Sequence, residues 1–97
     1  MNKNGLEIVE INFRCKIGEI DIIAKDGDYY VFIEVKYRKN TVHGDPLEAV
    51  TYKKQQRIRL ASMFYMKNKG YNPEKTNIRY DVIGITGSKI THIKDAF

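Results

Sequence analysis

Apolar and polar residues alternate along residues 6–14 (LEIVEINFR), with Leu6, Ile8 and Glu10 on one side and Val9, Ile11 and Phe13 on the other. That period of two predicts a half-buried strand. Residues 19–24 (EIDIIA) and 29–37 (YYVFIEVKY) are rich in branched and aromatic side chains and flank Asp26-Gly27. Because glycine tolerates positive φ, the pair marks a hairpin turn. Asp45-Pro46-Leu47-Glu48 then offers an N-cap, a proline at the first helical position and a glutamate at the third, so a helix is expected from Pro46. Leu47, Val50, Ile58, Ala61 and Tyr65 continue it at helical spacing to about Asn68, with an interruption of the apolar stripe at Lys54 and a terminating Gly70. Residues 78–86 (IRYDVIGIT) and 89–94 (KITHIK), parted by Gly87-Ser88, predict a second hairpin. The expected order is βββ-α-ββ in one α/β domain spanning residues 1–97.

Length and composition agree with one small domain: 97 residues, 42% hydrophobic and 30% charged. No apolar run approaches the roughly 18 residues of a spanning helix, and no charged leader precedes an apolar stretch, so a cytoplasmic protein with no membrane association is expected. The single cysteine, Cys15, excludes an internal disulfide and a cysteine-built zinc or iron–sulfur centre, and is expected to be a small strand residue. Charge changes the picture more. Residues 1–35 hold four bases and seven acids, residues 36–69 nine and two, and residues 70–97 four and three. An acidic front followed by a basic middle points to a polyanion, nucleic acid or acidic lipid, held beside carboxylates.

With Asp26-Gly27 as a two-residue turn, Glu19 faces Glu34 and Asp21 faces Phe32. Strand alternation then sets Glu19, Asp21, Glu34 and Lys36 on one sheet face and leaves Ile20, Ile22, Ala24, Val31, Ile33 and Val35 on an apolar face. Three carboxylates against one ammonium carry a local charge of −2, and each like-charged pair costs about 4 kcal/mol at 4 Å in an effective dielectric near 20. A hard divalent cation, Mg²⁺ or Mn²⁺, would relieve that repulsion, with Asp21 and Glu34 as its ligands. The competing reading is a solvated strand face with incidental acids. Lys36, two residues beyond Glu34, points the same way and is placed to orient an attacking water or to stabilise charge on a phosphate. Its plain alternative is a surface lysine paired with Glu34.

An acid, a spacer of about a dozen residues and then Glu34-Val35-Lys36 resembles the bipartite motif of the PD-(D/E)XK nuclease superfamily. A longer set resembles the YraN family of small bacterial proteins: Asn12-Phe13-Arg14, Gly18-Glu19-Ile20-Asp21, Phe32-Ile33-Glu34-Val35-Lys36, Gly44, Pro46, Glu48-Ala49-Val50, Lys54-Gln55, Arg57 and Arg79-Tyr80-Asp81-Val82-Ile83. The resemblance covers nearly the whole chain. It implies a restriction-endonuclease-like fold similar to archaeal Holliday junction resolvases and an endonuclease activity on DNA, with branched DNA as a candidate substrate. It further implies metal ligation by Asp21 and Glu34, catalysis by Lys36, and a supporting active-site role for Glu19 or Gln55. Members of the family usually open with a helix carrying a Gly-Glu pair, whereas this chain opens on the strand. Glu7 and Glu10 lie in that strand and do not replace the helix glutamate. An incomplete metal site and apolar sheet surface suited to a homodimer are the expected consequences.

The basic helix supplies the substrate side. Lys53 and Arg57 are four residues apart and Lys54 and Arg57 three, so each pair shares a helix face. With Lys36, Arg38 and Lys39 they form a candidate phosphate track. Tyr30, Tyr37 and Tyr52 are weaker candidates for base stacking, since strand aromatics more often pack. Neither His43 nor His92 has metal-ligand spacing. Three functions follow: a Mg²⁺- or Mn²⁺-dependent endonuclease, a DNA-binding module without catalysis, or a protein-interaction domain using the exposed sheet face.

Overall fold

The computed structural model describes residues 5–38 and 50–97. Strands β1 (Glu7–Arg14), β2 (Glu19–Asp26) and β3 (Tyr29–Arg38) lead to helix α1 (Tyr52–Asn68). A short 3₁₀ turn (Pro73–Lys75) precedes β4 (Asn77–Thr86) and β5 (Lys89–Ile93). One five-stranded sheet is ordered β1-β2-β3-β4-β5, antiparallel except for the β3–β4 pair. That parallel pair is bridged by the connection containing α1, as parallel neighbours require. The mixed sheet with one long helix is the βββ-α-ββ arrangement expected from the chain.

The middle of the sheet is buried on both faces. Even-numbered residues of β3 and β4, Tyr30, Phe32, Tyr80 and Val82, meet Ile58, Ala61, Tyr65 and Met66 of α1. The opposite face carries a smaller cluster of Leu6, Ala24, Val31 and Ile33, flanked by Ile22, Val35 and Ile83. These two clusters explain why β3 reads as an almost unbroken apolar run up to Glu34.

Four local expectations are corrected. The first hairpin turns at Gly27-Asp28, with Asp26 paired to Tyr29 and Gly27 at φ +61°, so the register lies two residues from the expected one. A shift of two keeps every side chain on its face, and the grouping of acids survives. Ile20 leaves the cluster of Ile22 and Ala24 and joins the one built on α1, beyond the point where the β2–β3 ladder ends at Ile22. Strand β1 is mostly exposed, since a bulge between Ile8 and Glu10 and a positive φ at Asn12 break its alternation; Ile8, Val9 and Ile11 face solvent. Cys15 sits in the turn after β1, where its N–H donates to the Gly18 carbonyl at 2.9 Å.

The proposed helix start at Asp45-Pro46-Leu47-Glu48 lies outside the described residues, as do Lys39, His43, Gly44 and Ala49. Within them, α1 begins at Tyr52. Thr51 is extended, and its Oγ1 accepts the Lys54 N–H at 3.2 Å as an N-cap should. At the other end Gly70, at φ +85°, donates to the Lys67 carbonyl and Tyr71 donates to that of Met66. This paired arrangement closes the helix as a Schellman motif.

Candidate functional site

The site forms where the buried sheet face emerges beyond the first turn of α1. Alternation along β3 carries the face of Tyr30 and Phe32 on to Glu34 and then Lys36. Glu34 is 5% exposed, a burial rare for an unpaired carboxylate. Its Oε2 receives the Lys54 Nζ at 2.7 Å and lies 3.7 Å from the Lys36 Nζ. The first distance is a charge-assisted hydrogen bond and the second an ion pair only.

Asp21 reaches the same place from β2. It stands at the next register position across from Glu34, and its Oδ2 accepts the Val35 N–H at 2.8 Å. A side-chain carboxylate thus replaces a ladder acceptor where β2 diverges from β3. Electrostatic influence of Asp21 extends to Lys54.

Residues expected together are brought together only in part. Glu19 is exposed and lies 3.5 Å from Arg14 Nε, so it leaves the acid cluster, although it lines a cleft of about 270 Å³ with Ile17, Gly18, Lys54, Arg57 and Ile58. Gln55 turns to the backbone, its Nε2 donating to the Val50 carbonyl at 3.1 Å. Lys53 and Arg57 are exposed on α1, and Arg38 ends β3, where its carbonyl accepts the Gly87 N–H. Tyr30 is a core residue, whereas Tyr37 and Tyr52 are 69% and 75% exposed.

The local charge differs from the expected −2. With Glu19 outside and Lys54 inside, two carboxylates face two ammoniums and the set is neutral. Burial and the neighbouring Lys54 ammonium hold the Lys36 pKa below its ordinary value, outweighing the pull of Glu34. The hydrogen bond to Glu34 raises the Lys54 pKa against the cost of burial. Lys36 is thus the more readily deprotonated of the two.

The first turn of α1 contains no acid and does contain Lys53 and Lys54. Cations there oppose the helix dipole. A local rule broken in this way is characteristic of positions where another demand prevails, here the buried Glu34 and the cleft beside it.

A divalent cation would find two carboxylate donors here, since no group of three or more His, Cys, Asp or Glu is gathered among the described residues. Mg²⁺ keeps several waters and is commonly held by one or two carboxylates together with substrate phosphate, so this sparse oxygen set fits it. The buried Glu34 oxygen already held by an ammonium is itself a position that attracts a cation.

A second polar cluster, absent from the sequence-based site, lies on the face away from α1. Asp81 is fully buried and receives Arg79 through both oxygens at 2.9 and 3.0 Å, the His92 Nε2 at 2.7 Å and the Asp95 N–H at 3.0 Å. Arg79 also reaches Asp26 at 2.9 Å. Burial pushes the Asp81 pKa up, but the hydrogen bonds from Arg79, Asp95 and His92 outweigh it and hold the carboxyl below its usual range. Fully satisfied, the network ties β4 to β5, the β2–β3 turn and the C-terminal segment. An arginine and an aspartate two residues apart inside the strand-like run IRYDVIGIT were the available signal for it.

No described helix is long and apolar enough to cross a membrane. Residues 1–85 match the family model described as uncharacterised protein family UPF0102. Over its full length the chain is 48% identical to a UPF0102 protein of Clostridium kluyveri, of which it covers 83%. It is 46% identical to one from Legionella pneumophila and 40% identical to one from Rhodococcus jostii, covering 83% and 85% of them.

Proposed function

We propose that this chain, which belongs to the uncharacterised protein family UPF0102, is a metal-dependent endonuclease of the PD-(D/E)XK type that hydrolyses phosphodiester bonds in DNA. The observation that carries the reading is the buried Glu34 carboxylate with Lys36 at 3.7 Å, beside Asp21 and bonded to Lys54, which with Arg57 lines a cleft. An acid buried next to a lysine of lowered pKa, and linked through Lys54 to a cleft that Arg57 also lines, is a costly arrangement for a structural ion pair and a useful one for phosphate chemistry.

Asp21 and Glu34 would hold Mg²⁺ or Mn²⁺, which when bound polarises a phosphoryl oxygen and lowers the pKa of a bound water. The chain's own residues do the rest. Lys36, fixed on β3 and partly desolvated, orients the attacking water or stabilises charge on the phosphate. Arg57, which has no ion-pair partner among the described residues, and Lys53 hold the DNA backbone, with Arg38 at the end of β3 extending that track. Branched DNA remains the candidate substrate that the family resemblance implies.

A second reading, a DNA-binding module without catalysis, is favoured by one observation: Lys54 already neutralises Glu34 at 2.7 Å with no metal required. Incubating the protein with labelled linear, single-stranded and four-way-junction DNA in Mg²⁺, Mn²⁺ or chelator separates the two. The nuclease reading expects cutting that chelator abolishes. Salt-sensitive binding without cutting supports the module instead.

A further inference from the structure

We propose that Lys54 is the resident counter-ion of Glu34 and that a divalent cation binds by displacing it, an inference that rests on the metal reading above. Two lysines address one carboxylate oxygen, and they differ in ways that decide which would leave. Lys54 makes the hydrogen bond at 2.7 Å, while Lys36 stays at 3.7 Å. A cation approaching Oε2 therefore competes first with Lys54.

Leaving is also easier for Lys54. Its side chain is 43% exposed, against 25% for Lys36, and it projects from the first turn of a helix rather than from an interior strand. Its backbone is anchored separately, by the N–H bond to Thr51 Oγ1, so the side chain can swing while the helix stays in place. It has a destination as well. Lys54 lines the 270 Å³ cleft with Arg57, and a displaced ammonium there would join Arg57 against an incoming phosphate.

The arrangement couples two events. Without metal, Lys54 neutralises a carboxylate whose burial would otherwise be costly. With metal, the same charge is released toward the substrate. Lys54 is thus a positioning residue that sets metal affinity, beyond the phosphate contact its place on α1 first suggests.

The test is Mn²⁺ binding to the full chain, read from the free-ion electron paramagnetic resonance signal, for wild type, Lys54→Met, Lys54→Gln, Lys54→Arg and Glu34→Gln. Circular dichroism identifies the variants that fold. Removing the competing charge in Lys54→Met or Lys54→Gln is expected to tighten binding by about tenfold, with Lys54→Arg close to wild type and Glu34→Gln much weaker. Equal or weaker binding by the two neutral variants, alongside a wild-type site lost in Glu34→Gln, would overturn the displacement and leave the metal site standing. Absence of Mn²⁺ binding to every variant would overturn the metal reading and this inference with it.

Discussion

Lys54, from the first turn of α1, lies a full ångström nearer to the Glu34 carboxylate than Lys36, which shares a strand with it: 2.7 Å against 3.7 Å. The nearest cation to the buried acid therefore comes from the helix. That relationship neutralises the site, raises the Lys54 pKa, adds to the burial that lowers the Lys36 pKa, and joins β3 to the cleft that Lys54 lines.

Truncating Lys54 to alanine in metal-free protein leaves Glu34 buried with only the more distant Lys36. A loss of about 1–3 kcal/mol in urea unfolding at neutral pH is expected. Because the folded pKa of Lys54 lies above 10.5, its contribution is fully present below that value and disappears as pH rises through the folded pKa. The stability gap between wild type and Lys54→Ala should accordingly narrow as pH rises into strong alkali.

Lys54 also marks the boundary of what the sequence discloses. It interrupts the apolar stripe continued by Ile58, Ala61 and Tyr65, so its spacing places it on the sheet-facing side of α1. Spacing relates it equally well to Arg57, three residues on, and no rule of one helix says which strand residue will stand opposite. Asp21, Glu34 and Lys36 were legible because alternation within one hairpin is local, and a two-residue error in register leaves it unchanged. Glu19 fell away because the β2–β3 ladder stops at Ile22, an end of pairing with no residue signature. Asp81 and His92 meet across β4 and β5, and their pairing depends on a register that only the assembled sheet defines.

Replacing the buried Asp81 by alanine leaves the half-buried Arg79 with Asp26 alone and removes the partner of His92 and of the Asp95 N–H. Destabilisation of about 3–5 kcal/mol is expected, measured by urea or thermal unfolding. An unchanged midpoint would show that the cluster contributes little.

The same cluster makes an acid-range prediction. The folded pKa of Asp81 lies below the ordinary 3.8, so its stabilisation is complete above that value and is lost as pH falls through the depressed one. The difference in stability between wild type and Asp81→Asn should therefore shrink below pH 3.8. A difference that stays constant down to strong acid would contradict the assignment.

Gly70 occupies the left-handed position that closes α1. Gly70→Ala meets no neighbouring atom within 4 Å, so its expected cost is conformational alone, about 1 kcal/mol. Thermal unfolding provides the check, and an unaltered melting temperature would argue against the Schellman closure.

Glu34→Ala tests the central claim most directly, with cleavage and DNA binding measured on the same preparation in Mg²⁺. If Glu34 holds the metal, cutting of DNA by the wild-type chain is lost in the variant while salt-sensitive binding through Lys53 and Arg57 persists. Cutting that survives the substitution, or wild-type protein that binds DNA and never cuts it, would contradict the nuclease assignment.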